Sequence, residues 1–265
     1  LGYELEVIDI FDVNKNLDDI YKLYNEGKID LALKLLKKLQ SIELSPDLLY
    51  KVHTLYGVIL VDKGDIELSI QHYQKSMQIL LDSNLQINKY KILYELSLAY
   101  FSLYSQKHSK FDLDKALSYC KLSLNEGIEN SIVQKQTGLM IYYKKSSEVY
   151  IQALIHLAVI YQAMEEYEKT IEILNISISC CKQHLLYKSL GLTYDELGLT
   201  YQLEGNMPLA MYYYTKSISA KEIVKNQKGI EVTMNKIFVC MISNPDILNS
   251  NECIKLLNNA KEESI

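Results

Sequence analysis

The stretch Gly191–Ser219, GLTYDELGLTYQLEGNMPLAMYYYTKSIS, decides how the rest of the chain is read. Its landmarks are Tyr194, Leu197, Gly198 and Tyr201, followed by Gly205, Ala210, Tyr214 and Ser217. A stretch far upstream, Tyr50–Leu80, repeats them at identical offsets with His53, Tyr56, Gly57 and Leu60, then Gly64, Ser69, Tyr73 and Ser76. A third copy is Leu154, Leu157, Ala158, Tyr161, Thr170, Leu174 and Ser177. A fourth is Leu93, Leu96, Ser97, Tyr100, Ala116, Cys120 and Ser123, with roughly seven extra residues expected at its turn. Two weaker copies flank these: one ends in Gly27, Ala32, Leu36 and Leu39, and the other begins with Met234, Ile237, Phe238 and Met241.

The pattern has a physical cause. Two antiparallel helices approach closely only where small residues sit at the crossing. Gly57, Ser97, Ala158 and Gly198 take that place on the first helix of each pair, and Ser69, Ala116, Thr170 and Ala210 on the second. The offsets match the tetratricopeptide repeat (TPR), in which no hairpin buries its apolar face alone and several must stack. The expected fold is therefore all-α: a right-handed TPR-like superhelix of about six repeats, some degenerate. Copies lie close to 40 residues apart in two cases, against about 34 in the commonest form, so the helices are expected to be longer than usual. Gly27, Gly64 and Gly205 stand where first helices end, a usual place for positive φ. Asn206 and Pro208 follow as a cap and an early helical proline.

Two segments fall outside the repeat. Residues 1–14, extending to Asn16, read as a leader or linker from a missing N-terminal part, with alternation in Leu5–Phe11 suggesting a short extended piece. Residues 15–265 form the repeat domain, and residues 125–147 are extra within it, with a helix expected there.

Composition bounds the function. The chain has 265 residues, 48% hydrophobic and 23% charged, a balance that folds rather than stays disordered. The formal net charge is −5 and every basic residue is Lys, so the forked guanidinium that reads guanine and phosphate is absent. No apolar run reaches the ~18 residues that span a bilayer, and no signal peptide is expected. The five cysteines form no CxxC pair, which suits reduced thiols in the cytoplasm. No phosphate loop, dinucleotide fingerprint, nucleophile elbow or HExxH motif occurs. His53 and His156 occupy packing positions, Cys180–Cys181 is a vicinal pair expected to pack, and Glu165–Glu166 fall at a turn. The expectation is a binding protein with no catalytic residue, no metal and no cofactor.

Repeats of this kind bind partners on the inner face formed by the first helices. One line of equivalent positions holds Val58, Leu98, Val159, Leu199 and Val239. One turn on it holds Val61, Phe101, Gln162, Gln202 and Ile242, and one turn earlier Thr54, Tyr94, Ile155, Asp195 and Asn235. An apolar floor with a few amides and one carboxylate suits a short extended peptide, its side chains in pockets and its backbone held by amides. The Lys, Asn and Arg clamp by which co-chaperones grip a terminal carboxylate is absent from these positions.

The segments LGLTYDELGLTYQLEGNMPLAMYYYTKSISAKEIVKNQKGIEVTMNKI and IQALIHLAVIYQAMEEYEKTIEILNISIS give the chain, over about residues 15 to 262, a resemblance to the peptide-pheromone receptors of Gram-positive bacteria, the Rap, NprR, PlcR and PrgX group. The resemblance implies a cytoplasmic sensor for a short secreted signalling peptide in a quorum-sensing transcription regulator, working through a change of superhelix or dimer geometry. Inner-face asparagines grip the peptide in such receptors, and Asn235 matches by position; Gln162 and Gln202 are substitutes. Homodimers and a preceding helix-turn-helix are family features, so DNA is expected as a partner only through a domain not in this chain. A static interaction scaffold, or a Rap-type anti-activator or phosphatase, are the alternatives; the latter lacks support, because no Gln precedes Gln40.

Overall fold

The computed structural model describes residues 13–83, 89–136 and 140–262. Among them every regular element is helical. The chain divides into two compact units, Leu1–Glu126 and Gly127–Ile265.

The first unit holds three hairpins. They are α1 (Val13–Asn25) with α2 (Ile29–Gln40), α3 (Pro46–Lys63) with α4 (Ile66–Asp82), and α5 (Tyr90–Lys107) with α6, which begins at Lys110. Ile20, Leu36, Leu39, Val52 and Ile59 make one continuous core, and Ile66, Tyr73, Leu96 and Ala99 the next. In the second unit α7 (Met140–Ala163) pairs with α8 (Tyr167–Gln183), and α9 (Tyr187–Leu203) with α10 (Met207–Ile223). Then come α11 (Gln227–Ser243), a 3-10 turn at Pro245–Asn249 and α12 (Asn251–Glu262).

The crossings form where the small residues stand. A Cβ built on Gly198 would lie 2.5 Å from the Tyr214 ring, and one on Gly57 would likewise run into Tyr73. Ser97 donates its hydroxyl to the Ala116 carbonyl at 2.7 Å, and Thr170 does the same to Ala158 at 3.4 Å. All of these residues are buried. The glycine turns are as expected, with φ of 77° at Gly27, 90° at Gly64 and 83° at Gly205. The equivalent places elsewhere are taken by His108 and Glu165, and the links from a second helix to the next hairpin carry Leu185 and Lys225, all four at positive φ. Asn206 caps α10 by accepting from the Leu209 amide at 3.2 Å, and Asn226 caps α11 through the Gly229 amide at 3.0 Å.

Three expectations need correcting. The seven extra residues of the fourth copy do not lengthen its turn: α5 runs four residues further past its crossing than α3 does, and α6 starts three residues earlier before its crossing than α4. Each added stretch is about one helical turn, so the hairpin keeps its short connection and its register. Residues 125–147 do not form a separate helix; residues up to Gln136 continue α6, and those from Met140 belong to α7. At the other end, helix begins at Val13, inside the expected leader, while the extended piece at Leu5–Phe11 lies outside the described residues.

The last copy departs most from the pattern. Phe238 stands at the position held elsewhere by Gly57, Ser97, Ala158 and Gly198. An aromatic ring there keeps a second helix from approaching, and α12 packs against α10 rather than face-on against α11. Ala210, Met211, Tyr214, Cys240, Ile247 and Cys253 form the core beneath it.

Candidate functional site

The inner-face residues divide between the units. In the first, α3 carries Thr54, Val58 and Val61, α5 carries Tyr94, Leu98 and Phe101, and the two helices pack side by side. All six are half-buried. The Thr54 hydroxyl is turned towards α4, donating to the Tyr50 carbonyl at 2.8 Å and lying 2.7 Å from Ser76 Oγ. Val58, Leu98 and Phe101 are left as the partly open apolar surface. Burial pushes the Tyr94 phenol well above its ordinary value, so it is a neutral donor.

In the second unit, α7 supplies Ile155, Val159 and Gln162, α9 supplies Asp195, Leu199 and Gln202, and α11 supplies Asn235 and Val239. Ile155, Val159 and Leu199 are half-buried; Asn235, Val239 and Ile242 are exposed. Both glutamines are engaged: Gln162 Nε2 donates to Thr200 Oγ1 at 3.1 Å, and Gln202 Oε1 accepts from the Tyr214 hydroxyl at 2.8 Å. Asp195 differs from its expected role as the carboxylate of the groove. It is 5% exposed and is already held by Lys221 and Thr233. Of the polar candidates Thr54, Tyr94, Gln162, Asp195, Gln202 and Asn235, Asn235 alone keeps its side chain free of any such interaction among the described residues.

Two carboxylates escaped the sequence reading. Glu95 follows Tyr94 and Glu196 follows Asp195, so they occupy the same position in two repeats. Both are half-buried. Burial raises the Glu95 carboxyl above its usual range, against the pull of Lys91 and of the Tyr73 hydroxyl 3.5 Å away. Burial also raises Glu196, with Lys236 and Lys221 opposing and Asp195 adding. The recurring offset was a visible signal, but it lies one residue off the three lines that were counted.

Two other clusters are structural. His53 and His72 face each other with Nδ1 atoms 3.1 Å apart, and Tyr56 stacks on His72. Burial, helped by the charges of His53 and Lys75, lowers His72 to about 4, so this pair stays neutral. All five cysteines are free thiols, and burial drives Cys120 up to about 12 and Cys181 to about 11, which leaves them unreactive. Among the described residues no group of three or more His, Cys, Asp or Glu could hold a metal ion, and no helix is long and apolar enough to cross a membrane.

No family model matches the chain, and no curated protein matches it. Solved structures do. A Rap protein complexed with competence and sporulation factor matches with a TM-score of 0.57 at 14% identity, covering 95% of this chain and 77% of that one. NprR in complex with its cognate peptide NprX matches at 0.60 and 16% identity, covering 97% of this chain and 68% of that one. A thermophilic TPR protein of Thermus thermophilus matches at 0.54 and 16%, covering 86% and 99%. At these identities the likeness establishes the fold, an all-α tetratricopeptide-like helical repeat.

Proposed function

We propose that this chain binds a short signalling peptide on the inner face of its first helices, as the cytoplasmic sensor part of a quorum-sensing transcription regulator that pairs with a second copy. The observation that carries this reading is the free Asn235 amide, set beside exposed Val239 on α11. Half-buried Leu199 and Val159 continue the line of Val239 on α9 and α7, and half-buried Ile155 on α7 continues the line of Asn235. A free amide can exchange two hydrogen bonds with a peptide backbone, while partly open aliphatic side chains accept the peptide's own. Two structures of the same fold support the choice of ligand: NprR with its cognate peptide, and a Rap protein with competence and sporulation factor.

The polar partners on this face are fewer than the sequence suggested, because Thr54, Gln162, Gln202 and Asp195 are bonded within the protein. Apolar side chains of the peptide would then supply most of the affinity, and Asn235 its register.

The test is mass spectrometry of what the purified chain retains from conditioned medium of its own host. One retained peptide of about five to ten residues, displaced by its synthetic copy, is the expected result. Retention of a whole protein and no peptide would replace the sensor with a scaffold.

A further inference from the structure

Two apolar side chains on the inner side of α9 stand outside the positions counted from the sequence. Leu192 is 44% exposed and Leu203 51%. With half-buried Glu196 and Leu199 they make one stripe, since steps of four, three and four residues return to the same side of an α-helix. On α11, exposed Val232 stands to Val239 as Leu192 does to Leu199. A hydrogen bond of 2.9 Å from Thr233 to Asp195 holds the two helices side by side. Glu196 is the odd member of the stripe. Its side chain takes part in no hydrogen bond or ion pair among the described residues, Lys236 and Lys221 acting on it only through their charges. Lys221 is engaged by buried Asp195, and the Lys236 ammonium lies 3.9 Å from Asp195 and 5.7 Å from the centre of the Tyr214 ring. A half-buried carboxylate without a hydrogen-bond donor, set between leucines, is destabilising unless a ligand supplies one.

We propose that the ligand is an extended peptide lying lengthwise along α9, with a basic side chain on Glu196 and an aliphatic side chain two residues before it and two after it. The proposal rests on the peptide reading above and names the chemistry of its ligand. Spacing argues for it. Leu192 and Glu196 are one step of four residues apart on the helix, about 6 Å along its axis. An extended chain turns every second side chain to the same side, about 6.6 Å apart. Side chains i and i+2 of the peptide therefore meet Leu192 and Glu196 together. Side chain i+4 then falls between Leu199 and Leu203, which lie about 4.5 and 10.5 Å beyond Glu196. Running across the helices the match fails, because packed helices stand about 8–10 Å apart, between the ~6.6 Å and ~13 Å at which an extended peptide repeats a face.

The two helices divide the work. Val232 and Val239 widen the apolar ends of the stripe. Asn235 holds on α11 the position that Asp195 holds on α9, so its free amide meets the peptide backbone at the central residue. The aliphatic anchors set the register, and the cation gives Glu196 the charge-assisted hydrogen bond that it lacks. Because the cation lies between two anchors, it belongs to a Lys or Arg side chain and not to the amino terminus of the peptide.

Fluorescence polarisation of the 265-residue chain with a labelled probe, Leu-Ser-Lys-Ser-Leu with both ends blocked, tests this. Saturable binding is expected. Norleucine in place of the probe's lysine should weaken binding about tenfold on the wild type and leave it unchanged on Glu196→Gln. Leu192→Ser, at an exposed position, should weaken the probe about tenfold but not a probe with serine for its first leucine. Moving the lysine beside the first leucine, as in Leu-Lys-Ser-Ser-Leu, should cost as much as removing it. Equal affinity of the wild type for the lysine and norleucine probes, equal affinity for the two spacings, or no saturation by any probe would overturn the proposal. The peptide retained from conditioned medium separates the two readings. One without a basic residue two places from an aliphatic residue on each side overturns this proposal and leaves the peptide reading standing, while retention of a whole protein and no peptide removes both.

Discussion

Lys221 on α10 forms an ion pair with Asp195 on α9, and both side chains are buried, at 3% and 6% exposure. Thr233 on α11 completes the tie, accepting from Lys221 at 2.6 Å and donating to Asp195 at 2.9 Å. A further Lys221 contact to the Gly229 carbonyl, at 3.3 Å, uses its third donor. Gly191 makes the room, since a Cβ there would come within 2.9 Å of Lys221 Cγ. Three successive helices are thus locked in register by one satisfied polar network.

Removing one partner of such a pair strands the other charge. Asp195→Ala is expected to destabilise the second unit by about 3–5 kcal/mol, whereas the double change Asp195→Leu with Lys221→Leu should cost far less. Urea unfolding of the two variants checks this, and equal losses would show that packing, rather than the stranded charge, is responsible.

Gly198 has no space for a side chain beneath Tyr214. Gly198→Ala should therefore cost about 1–3 kcal/mol through overpacking, although alanine is the better helix former. Gly205→Ala has free space around it but φ of 83°, and its cost of about 1 kcal/mol would come from backbone strain. Thermal melts of both, with Gly205→Asn as the tolerated exchange, distinguish the two causes.

The His53–His72 pair gives the first unit an acid-labile element. His72 titrates near 4 in the folded chain against about 6.5 when unfolded, so the unfolded state takes up its proton first. Stability is fully present above about pH 6.5 and is lost as pH falls from there towards 4. His72→Phe should flatten that part of the profile, read by circular dichroism melts at pH 7.5 and 4.5; an unchanged slope would exclude the pair as its source.

Asn235→Ala and Val239→Ala should weaken binding of the peptide identified by retention, each by about tenfold, without lowering the melting temperature, because both side chains are exposed. Unchanged affinity in both variants, measured by calorimetry, would remove the proposed inner-face site.

The hairpins were legible because each rests on a local rule. A small residue at the crossing, a large ring packed on it and a glycine at the turn recur at fixed offsets, and Gly57 with Tyr73 repeats Gly198 with Tyr214 in structure as it does in sequence. The extra residues of the fourth copy were legible as a number, but their location was not, since two helices lengthened by a turn and one lengthened loop add the same count.

The inner face was legible as a set of positions and not as a set of available groups. Helical periodicity gives the direction in which a residue points, and that much follows from the sequence by itself, together with the repeat register, the glycine turns and the all-helical fold. Whether Gln162, Gln202 or Asp195 is free depends on Thr200, Tyr214 and Lys221, which belong to neighbouring helices. The side-chain atoms that meet across a helix–helix contact are chosen by packing distance, to which no periodicity within one helix refers. For that reason only the tertiary structure could single out Asn235 as the free amide among these candidates and bury Asp195.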